Sequence, residues 1–412
     1  MAKKELVALI ERGYFPEELP PPFTTKSFSD LINRNLTDYR TKVDHKIGNK
    51  WTNYCRHNLA RNGRIKRVLA ICHPKHFFRL ADEIQKNWVD IDTEIRKSKI
   101  TKTAPIWGKS NQRAIIRESS LDDRPHSRAE ICLKARYLLK TDIERFFPSI
   151  YTHSIPWALH GKATAKARIH MRGRTGILLG EKLDQIVRGG QSGQTIGIPI
   201  GPDTSRVLSE ILLAAVDNSL RKKFITDAFH FVDDYEFAFN SIESANECFT
   251  SFYESLAIYE LSPNLRKTNT LKLPYSHENV WLNELRAFQL DAVTGKKTQY
   301  YKLQSYFDLV VEYSKKYPED SVIKWAMAKL AGIKFIHKEN WKFVVNNLCN
   351  LIVNDPSSID YAINFIKRMI DAGYPAYRSS ITKTFNEIIR NESSLRHANY
   401  VSWAIWSCLV LN

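Results

Sequence analysis

The sequence has no two cysteines close enough in the chain to act together. Its six, Cys55, Cys72, Cys132, Cys248, Cys349 and Cys408, are scattered and form no CxxC pair. That argues against a zinc site and a disulfide framework, and it fits a reducing compartment. Long apolar runs are also missing, since no uninterrupted stretch reaches the ~20 residues that cross a bilayer. No membrane partner is therefore expected. The opening Met1-Ala2-Lys3-Lys4-Glu5 leads into a short, charge-broken apolar run, unlike a secretory leader. The expectation is a soluble protein of the cytoplasm. Acid is scarce relative to base: 44 Asp and Glu stand against 61 Lys and Arg, for a net charge of +17. A surplus that large points to a polyanionic partner, nucleic acid first. Hydrophobic content of 43% and aromatic content of 11% exclude a disordered chain. At 412 residues the chain has room for two or three domains.

The chemistry-bearing stretch is His230-Phe231-Val232-Asp233-Asp234-Tyr235-Glu236-Phe237-Ala238-Phe239. Apolar and polar residues alternate on both sides of an acidic pair, as in two short strands sharing one buried face. Two adjacent carboxylates at the tip of a hairpin repel unless a cation binds there, although Asp is also an ordinary turn residue. A third carboxylate decides between these readings. Tyr137-Leu138-Leu139-Lys140-Thr141-Asp142 reads as a buried strand that delivers Asp142 at its end, before a helix beginning near Ser149. Three carboxylates on a strand end and a hairpin tip suit two divalent cations about 4 Å apart, the arrangement that serves phosphoryl transfer. All-oxygen ligands suit Mg2+, and Mn2+ would also fit.

The rest of the chain frames this centre. Residues 1–50 predict a short helix and then, around Gly13 to Pro16 and Pro20 to Pro22, an extended arm. Residues 56–80 interleave Arg56, Arg61, Arg64, Lys66, Arg67, Lys75 and Arg79 with apolar and aromatic residues, as in a strand-and-helix wall facing phosphates. Residues 100–130 read as a basic hairpin or loop whose Arg113 and Arg117 can clamp a triphosphate. Residues 161–190 are strongly basic, with Lys162, Lys166, Arg168, Arg172, Arg174, Lys182 and Arg188. In Gly197-Ile198-Pro199-Ile200-Gly201-Pro202 the glycines allow close approach of the backbone to a ligand, and Thr204 or Ser205 can cap the helix that follows. An amphipathic helix over 242–258 and a strand over 270–273 come next. From about residue 296 the pattern becomes a succession of amphipathic helices with no strand signal, an all-α domain of stacked pairs. Three segments are expected: an arm over 1–50, a catalytic region over 51–295 and a helical domain over 296–412.

Thr141-Asp142-Ile143 with Phe146-Phe147, Gly197 to Pro202, and Phe231-Val232-Asp233-Asp234 resemble motifs A, B and C of reverse transcriptases, in the right order. Asn264 to Thr268 resembles motif D, and Arg61 to Arg79 the first fingers motif. The resemblance covers roughly residues 55–290. Phe146-Phe147-Pro148-Ser149-Ile150-Tyr151-Thr152-His153-Ser154-Ile155-Pro156-Trp157 and the opening Gly13-Tyr14-Phe15-Pro16 narrow it to the abortive-infection and defence-associated reverse transcriptases of bacteria. The resemblance implies an α+β fold, with right-hand polymerase fingers and palm followed by a HEAT-like helical domain in place of the usual thumb. It implies a bacterial cytoplasmic enzyme that consumes dNTPs, releases single-stranded DNA, and forms a homo-oligomer, a trimer or hexamer. RNA is the template that an ordinary member would copy.

The resemblance also implies roles. Asp142, Asp233 and Asp234, with the Ile143 carbonyl, hold two Mg2+ ions. Phe147, next to Phe146, lies under the sugar and excludes a 2′-hydroxyl. Arg113 or Arg117 grips the triphosphate, Gly201 lines the nucleotide site, and Lys267 donates a proton to the departing pyrophosphate. Two positions depart from the family pattern: Ile200 stands where many members carry Gln, and Phe231 replaces the usual Tyr. Loss of a polar contact at Ile200 favours untemplated or protein-primed synthesis, for which Tyr39 and Tyr54 are candidate nucleophiles. The alternatives are an ordinary template-copying enzyme of a retron or mobile element, and a nucleic-acid-binding assembly protein with an inactive core.

Overall fold

The alternating stretches predicted around the acidic residues form one antiparallel sheet. The structure is a computed structural model that describes residues 3–47, 50–61, 65–169, 176–276, 278–290 and 295–411. Arg64, Arg172 and Arg174 lie outside these residues. In chain order the strands are β1 (Cys55–Arg61), β2 (Ile65–Ile71), β3 (Pro105–Trp107), β4 (Ile115–Arg117), β5 (Tyr137–Asp142), β6 (Ala228–Phe231), β7 (Asp234–Phe239) and β8 (Asn269–Lys272). β1 pairs with β2 and β3 with β4, while the last four form a sheet in the order β6-β7-β5-β8.

Contacts divide the chain into two units. One holds residues 1–17, 24–56 and 70–277; the other holds 18–23, 57–69 and 278–412. The expected break near residue 295 thus falls at 277/278, and residues 1–50 do not stand apart as an arm. They are also more helical than predicted. Lys4–Arg12 is a helix as expected, but Lys26–Ile47 is a second, long one, kinked at Asn35 where φ is −127°. The prolines at 20–22 confine extended backbone to a short link rather than governing the whole segment.

In the first unit, one face of the four-stranded sheet packs on two helices, Asp203–Ser219 and Ile242–Ile258. Tyr235 and Phe237 of β7 meet Phe252 of the second helix at 4.7 and 5.9 Å between ring centroids. The helix after Pro202 begins at Asp203 and carries no side-chain cap, so Thr204 and Ser205 are buried helix residues rather than caps. The segment over 100–130 forms the β3–β4 hairpin and then a helix, Arg124–Ile131, that sequence reading takes for loop.

The second unit has its own core. Helices Lys296–Lys316, Val322–Leu330, Lys338–Asn354, Ile359–Asp371, Arg378–Ser394 and Ala398–Leu411 bury Tyr306, Trp341, Phe365, Phe385 and Tyr400, among others. Within that unit the last helix packs on residues of the β1–β2 hairpin: His57 Nε2 meets Asn399 Oδ1 at 2.9 Å, and Tyr400 donates to the Ala60 carbonyl at 3.1 Å. Among the described residues, no helix is long and apolar enough to cross a membrane.

Candidate active site

Register builds the site. Asp142, the last residue of β5, lies opposite Asp234, the first of β7. Phe231 of β6 also lies opposite Asp234, which leaves Val232 and Asp233 as a two-residue turn. Such hairpins need a primed turn with positive φ at the first central position, usually met by glycine. Here it is Val232, at φ 53°. For a β-branched residue that conformation stores on the order of 1–3 kcal/mol of strain, the kind that persists where surrounding structure enforces it. The turn is fixed beside β5, since the Ile143 amide donates to the Asp233 carbonyl at 3.2 Å.

The electrostatics follow from burial. Asp142 is 4% exposed, and no described donor reaches its Oδ1. The Asp233 carboxyl comes within hydrogen-bond reach of Asp142, and its pKa is pushed up to about 7 by burial, by Asp234 and by Asp142. Cations answer the other oxygens. Lys267, in the turn Leu265–Lys267, forms an ion pair with Asp142 Oδ2. Arg124 reaches Asp234 at 2.9 Å while its guanidinium lies 5.4 Å from the centre of the Phe231 ring. The Asp142–Asp233 pair fits a hard divalent cation: Asp142 keeps one buried carboxylate oxygen unsatisfied, and the neighbouring Asp233 carboxyl is costly to ionise alone. Asp234 is engaged by Arg124 instead. Among the described residues, no three acidic, His or Cys side chains are grouped to hold a metal ion.

The remaining predicted residues fall in different places. Phe146 is buried and Phe147 half-buried, with the Phe147 carbonyl accepting from the Ile198 amide at 3.0 Å. This ties the strand-end segment of Asp142 to the glycine-proline loop. Arg113 is engaged within the fold. Its guanidinium binds Asp203 at 2.7 Å, the Phe15 carbonyl at 2.6 Å and the Gly201 carbonyl at 3.2 Å. The Asp203 carboxylate is fully buried and also accepts from the Ile115 amide, so Arg113 is its structural counter-ion. Gly201 is correspondingly occupied: a Cβ there would stand 2.5 Å from Pro16, so the close approach its φ of 120° permits is to the chain itself. Arg117 ends β4, opposite Pro105. Tyr39 packs in an aromatic cluster with Phe28 and Phe78, where burial pushes its pKa up. Tyr54 is half-buried just before β1.

Sequence reading overlooks the roles of Arg124 and Arg128. Arg128 makes a bidentate, buried ion pair with Glu236 at 2.6 Å, which anchors the Arg124–Ile131 helix on β7. The signal was there as a capping box, Ser120 with Asp123, just ahead of a helix-starting proline, Pro125. The basic stretch over 161–190 is partly neutralised: Arg168 and Arg188 pair with Glu181 and Asp184 inside it, and Lys182 pairs with Glu83 outside it.

The sequence pattern of the family described as reverse transcriptase (RNA-dependent DNA polymerase) matches residues 92–303, slightly more than half of the chain. The chain belongs to the reverse transcriptase family. That makes this reverse transcriptase an RNA-directed DNA polymerase, a nucleotidyltransferase of a family that generally works with divalent metal ions. No curated protein matches it. Among solved structures it is similar to telomerase from Candida albicans in complex with a TWJ fragment of telomeric RNA, at 12% identity and a TM-score of 0.37, over 93% of this chain and 69% of that one. Apo telomerase from Candida tropicalis gives 12% and 0.38, over 90% and 72%. Likenesses this distant assign the reverse transcriptase neither partner nor template.

Proposed function

We propose that this reverse transcriptase is a Mg2+-dependent DNA polymerase of antiphage defence, acting by abortive infection, which makes DNA from dNTPs without a template or on a protein primer. One observation supports the chemistry above the others: Asp142 keeps a buried, unsatisfied Oδ1 beside Asp233, whose pKa burial and the neighbouring carboxylates raise. In this reading the four-stranded sheet is the palm, the two hairpins belong to the fingers, and residues 278–412 stand in place of a thumb. Asp142 and Asp233, with the Ile143 carbonyl, hold two Mg2+ or Mn2+ ions, and Asp234 joins them when Arg124 turns to a phosphate. Bound there, the metals supply charge stabilisation for the attacking and leaving oxygens.

The protein's own groups do the rest. Phe147 lies beneath the sugar and disfavours a 2′-hydroxyl. The family resemblance supports Arg117, at the end of β4, as a residue that takes the triphosphate; Arg113 is held by Asp203. Lys267 leaves Asp142 for the departing pyrophosphate and gives it a proton. The defence role rests on the Phe146 to Trp157 segment, and untemplated synthesis on apolar Ile200 at a position where a polar side chain would contact base or template. The same resemblance supports a homo-oligomer, a trimer or hexamer. Trp403 is buried within the helical unit, donating to the Glu18 carbonyl at 2.8 Å, whereas Ile405 and Leu409 on the same helix are exposed.

The test is synthesis by purified protein given Mg2+ and dNTPs but no template. DNA that migrates with the protein until protease is added supports protein priming; free product from the same reaction contradicts it. A strict need for an RNA template with an annealed primer would instead favour ordinary template copying, the reading to which the family's RNA-dependent activity lends weight.

A further inference from the structure

The strained turn that carries Asp233 is held from inside the fold by side chains that the polymerase reaction does not use. His230, on β6, is 0% exposed, and both of its ring nitrogens face acceptors. Nδ1 meets the Val232 carbonyl at 2.8 Å, and Nε2 meets Asp217 Oδ2 at 2.9 Å. A carbonyl and a carboxylate accept, so the two contacts are satisfied together when both ring nitrogens donate, as an imidazolium does. Asp217 is an acceptor from every side: Ser98 Oγ donates at 2.5 Å and the Tyr235 hydroxyl at 2.9 Å.

The amide of the same turn residue is captured separately. Val232 N–H donates to Thr103 Oγ1 at 2.9 Å, and the Thr103 hydroxyl donates to Glu210 at 2.9 Å. Both polar groups of the one left-handed residue in the turn are therefore tied to buried side chains. The carbonyl that His230 holds belongs to the peptide linking Val232 to Asp233, so its direction sets where the Asp233 backbone begins. The charged and titratable groups facing His230 are Asp217 and Glu210, from the Asp203–Ser219 helix, and Tyr235, whose ring stacks on it at 4.5 Å. Burial pulls the imidazole's pKa down, but the charge and hydrogen bond of Asp217, then Glu210, raise it above the ordinary histidine value.

We propose that His230 with Asp217, and Thr103 with Glu210, are positioning residues that hold the Val232–Asp233 turn against its strain so that Asp233 faces Asp142. The proposal rests on the reading of Asp142 and Asp233 as metal ligands. It goes beyond that reading by assigning metal affinity to residues that touch neither metal nor nucleotide. Partners that orient a ligand in this way typically account for about 10–100-fold in metal affinity.

The test is Mn2+ binding to the full-length protein without nucleotide, read by electron paramagnetic resonance, beside the Mg2+ and dNTP dependence of incorporation. Removing His230 alone would strand the Asp217 charge, so the informative variant is His230→Phe with Asp217→Asn, which removes both charges and keeps a ring against Tyr235. Thr103→Val removes the second tie while keeping the side chain's shape. The expected result is Mn2+ affinity weakened about tenfold or more in the double variant and less in Thr103→Val. The Mg2+ needed for half-maximal rate should rise in step, while KM for dNTP stays nearly constant. If either folded variant binds Mn2+ as the parent does, the proposal is overturned. If the double variant does not fold, Thr103→Val alone decides. Asp233→Asn separates the two claims: unchanged Mn2+ binding there would overturn the metal site itself.

Discussion

Asp233 carries an electrostatic cost in the folded protein. Its pKa is raised from 3.8 to about 7 by burial and by two neighbouring carboxylates. A carboxyl that protonates more readily in the folded than in the unfolded state stabilises the fold at low pH. That stability is lost as pH rises through about 7. The metal-free protein should therefore melt lower at pH 8 than at pH 6, and Mg2+ should raise its Tm more at pH 8. Differential scanning calorimetry checks this, and Asp233→Asn should raise the metal-free Tm at pH 8 while abolishing the Mg2+ response. Arg113 gives a second residue-scale expectation. Arg113→Ala leaves the fully buried Asp203 carboxylate without its counter-ion, a loss of about 3–5 kcal/mol in urea unfolding. A triphosphate-gripping arginine would instead change KM for dNTP and leave stability nearly intact. Sequence spacing made Arg113 and Arg117 equivalent, because which guanidinium meets a buried carboxylate is fixed by a contact ninety residues away in the chain.

Among the elements, strands that alternate or run apolar into an acidic end are legible from local pattern, which is why β5, β6 and β7 fall where the sequence places them. The helices after residue 296 are legible for the same reason, each burying one stripe. The Lys26–Ile47 helix is not. It is polar, broken in geometry at Asn35, and preceded by prolines that signal extended backbone. The Arg124–Ile131 helix hides in a basic, proline-containing stretch, and its meaning comes only from Glu236 across the sheet. The turn itself was visible as Asp-Asp, but not its strain: Val-Asp is a poor primed turn, and what stabilises it comes from residues 103, 210 and 217. Packing between elements gives a further prediction. Gly201→Ala would force a Cβ to 2.5 Å from Pro16 in a backbone conformation that alanine rarely adopts. A loss of about 1–3 kcal/mol, seen as a lower Tm, is expected.

At the scale of the whole molecule, two cores form from one chain, and the division is not a simple cut. Residues 18–23 and 57–69 join the helical unit. No sequence signal marks such an exchange, since it depends on contacts like His57 with Asn399 that are remote in the chain. The net charge of +17 belongs to this scale as well. Binding of a single-stranded DNA oligonucleotide should weaken steeply with salt, log K falling against log salt by about 0.7 for each phosphate neutralised. Fluorescence anisotropy across a salt series measures that slope, and a flat response would separate the charge from nucleic-acid binding. The central claim is that Asp142 and Asp233 join nucleotides with divalent metal. Incorporation of labelled dNTP in Mg2+ by the purified protein tests it most directly, against Asp142→Ala and against Asp233→Ala with Asp234→Ala. The expected result is DNA from the parent, none with chelator, and none from either folded variant; synthesis that survives in the variants would contradict the account.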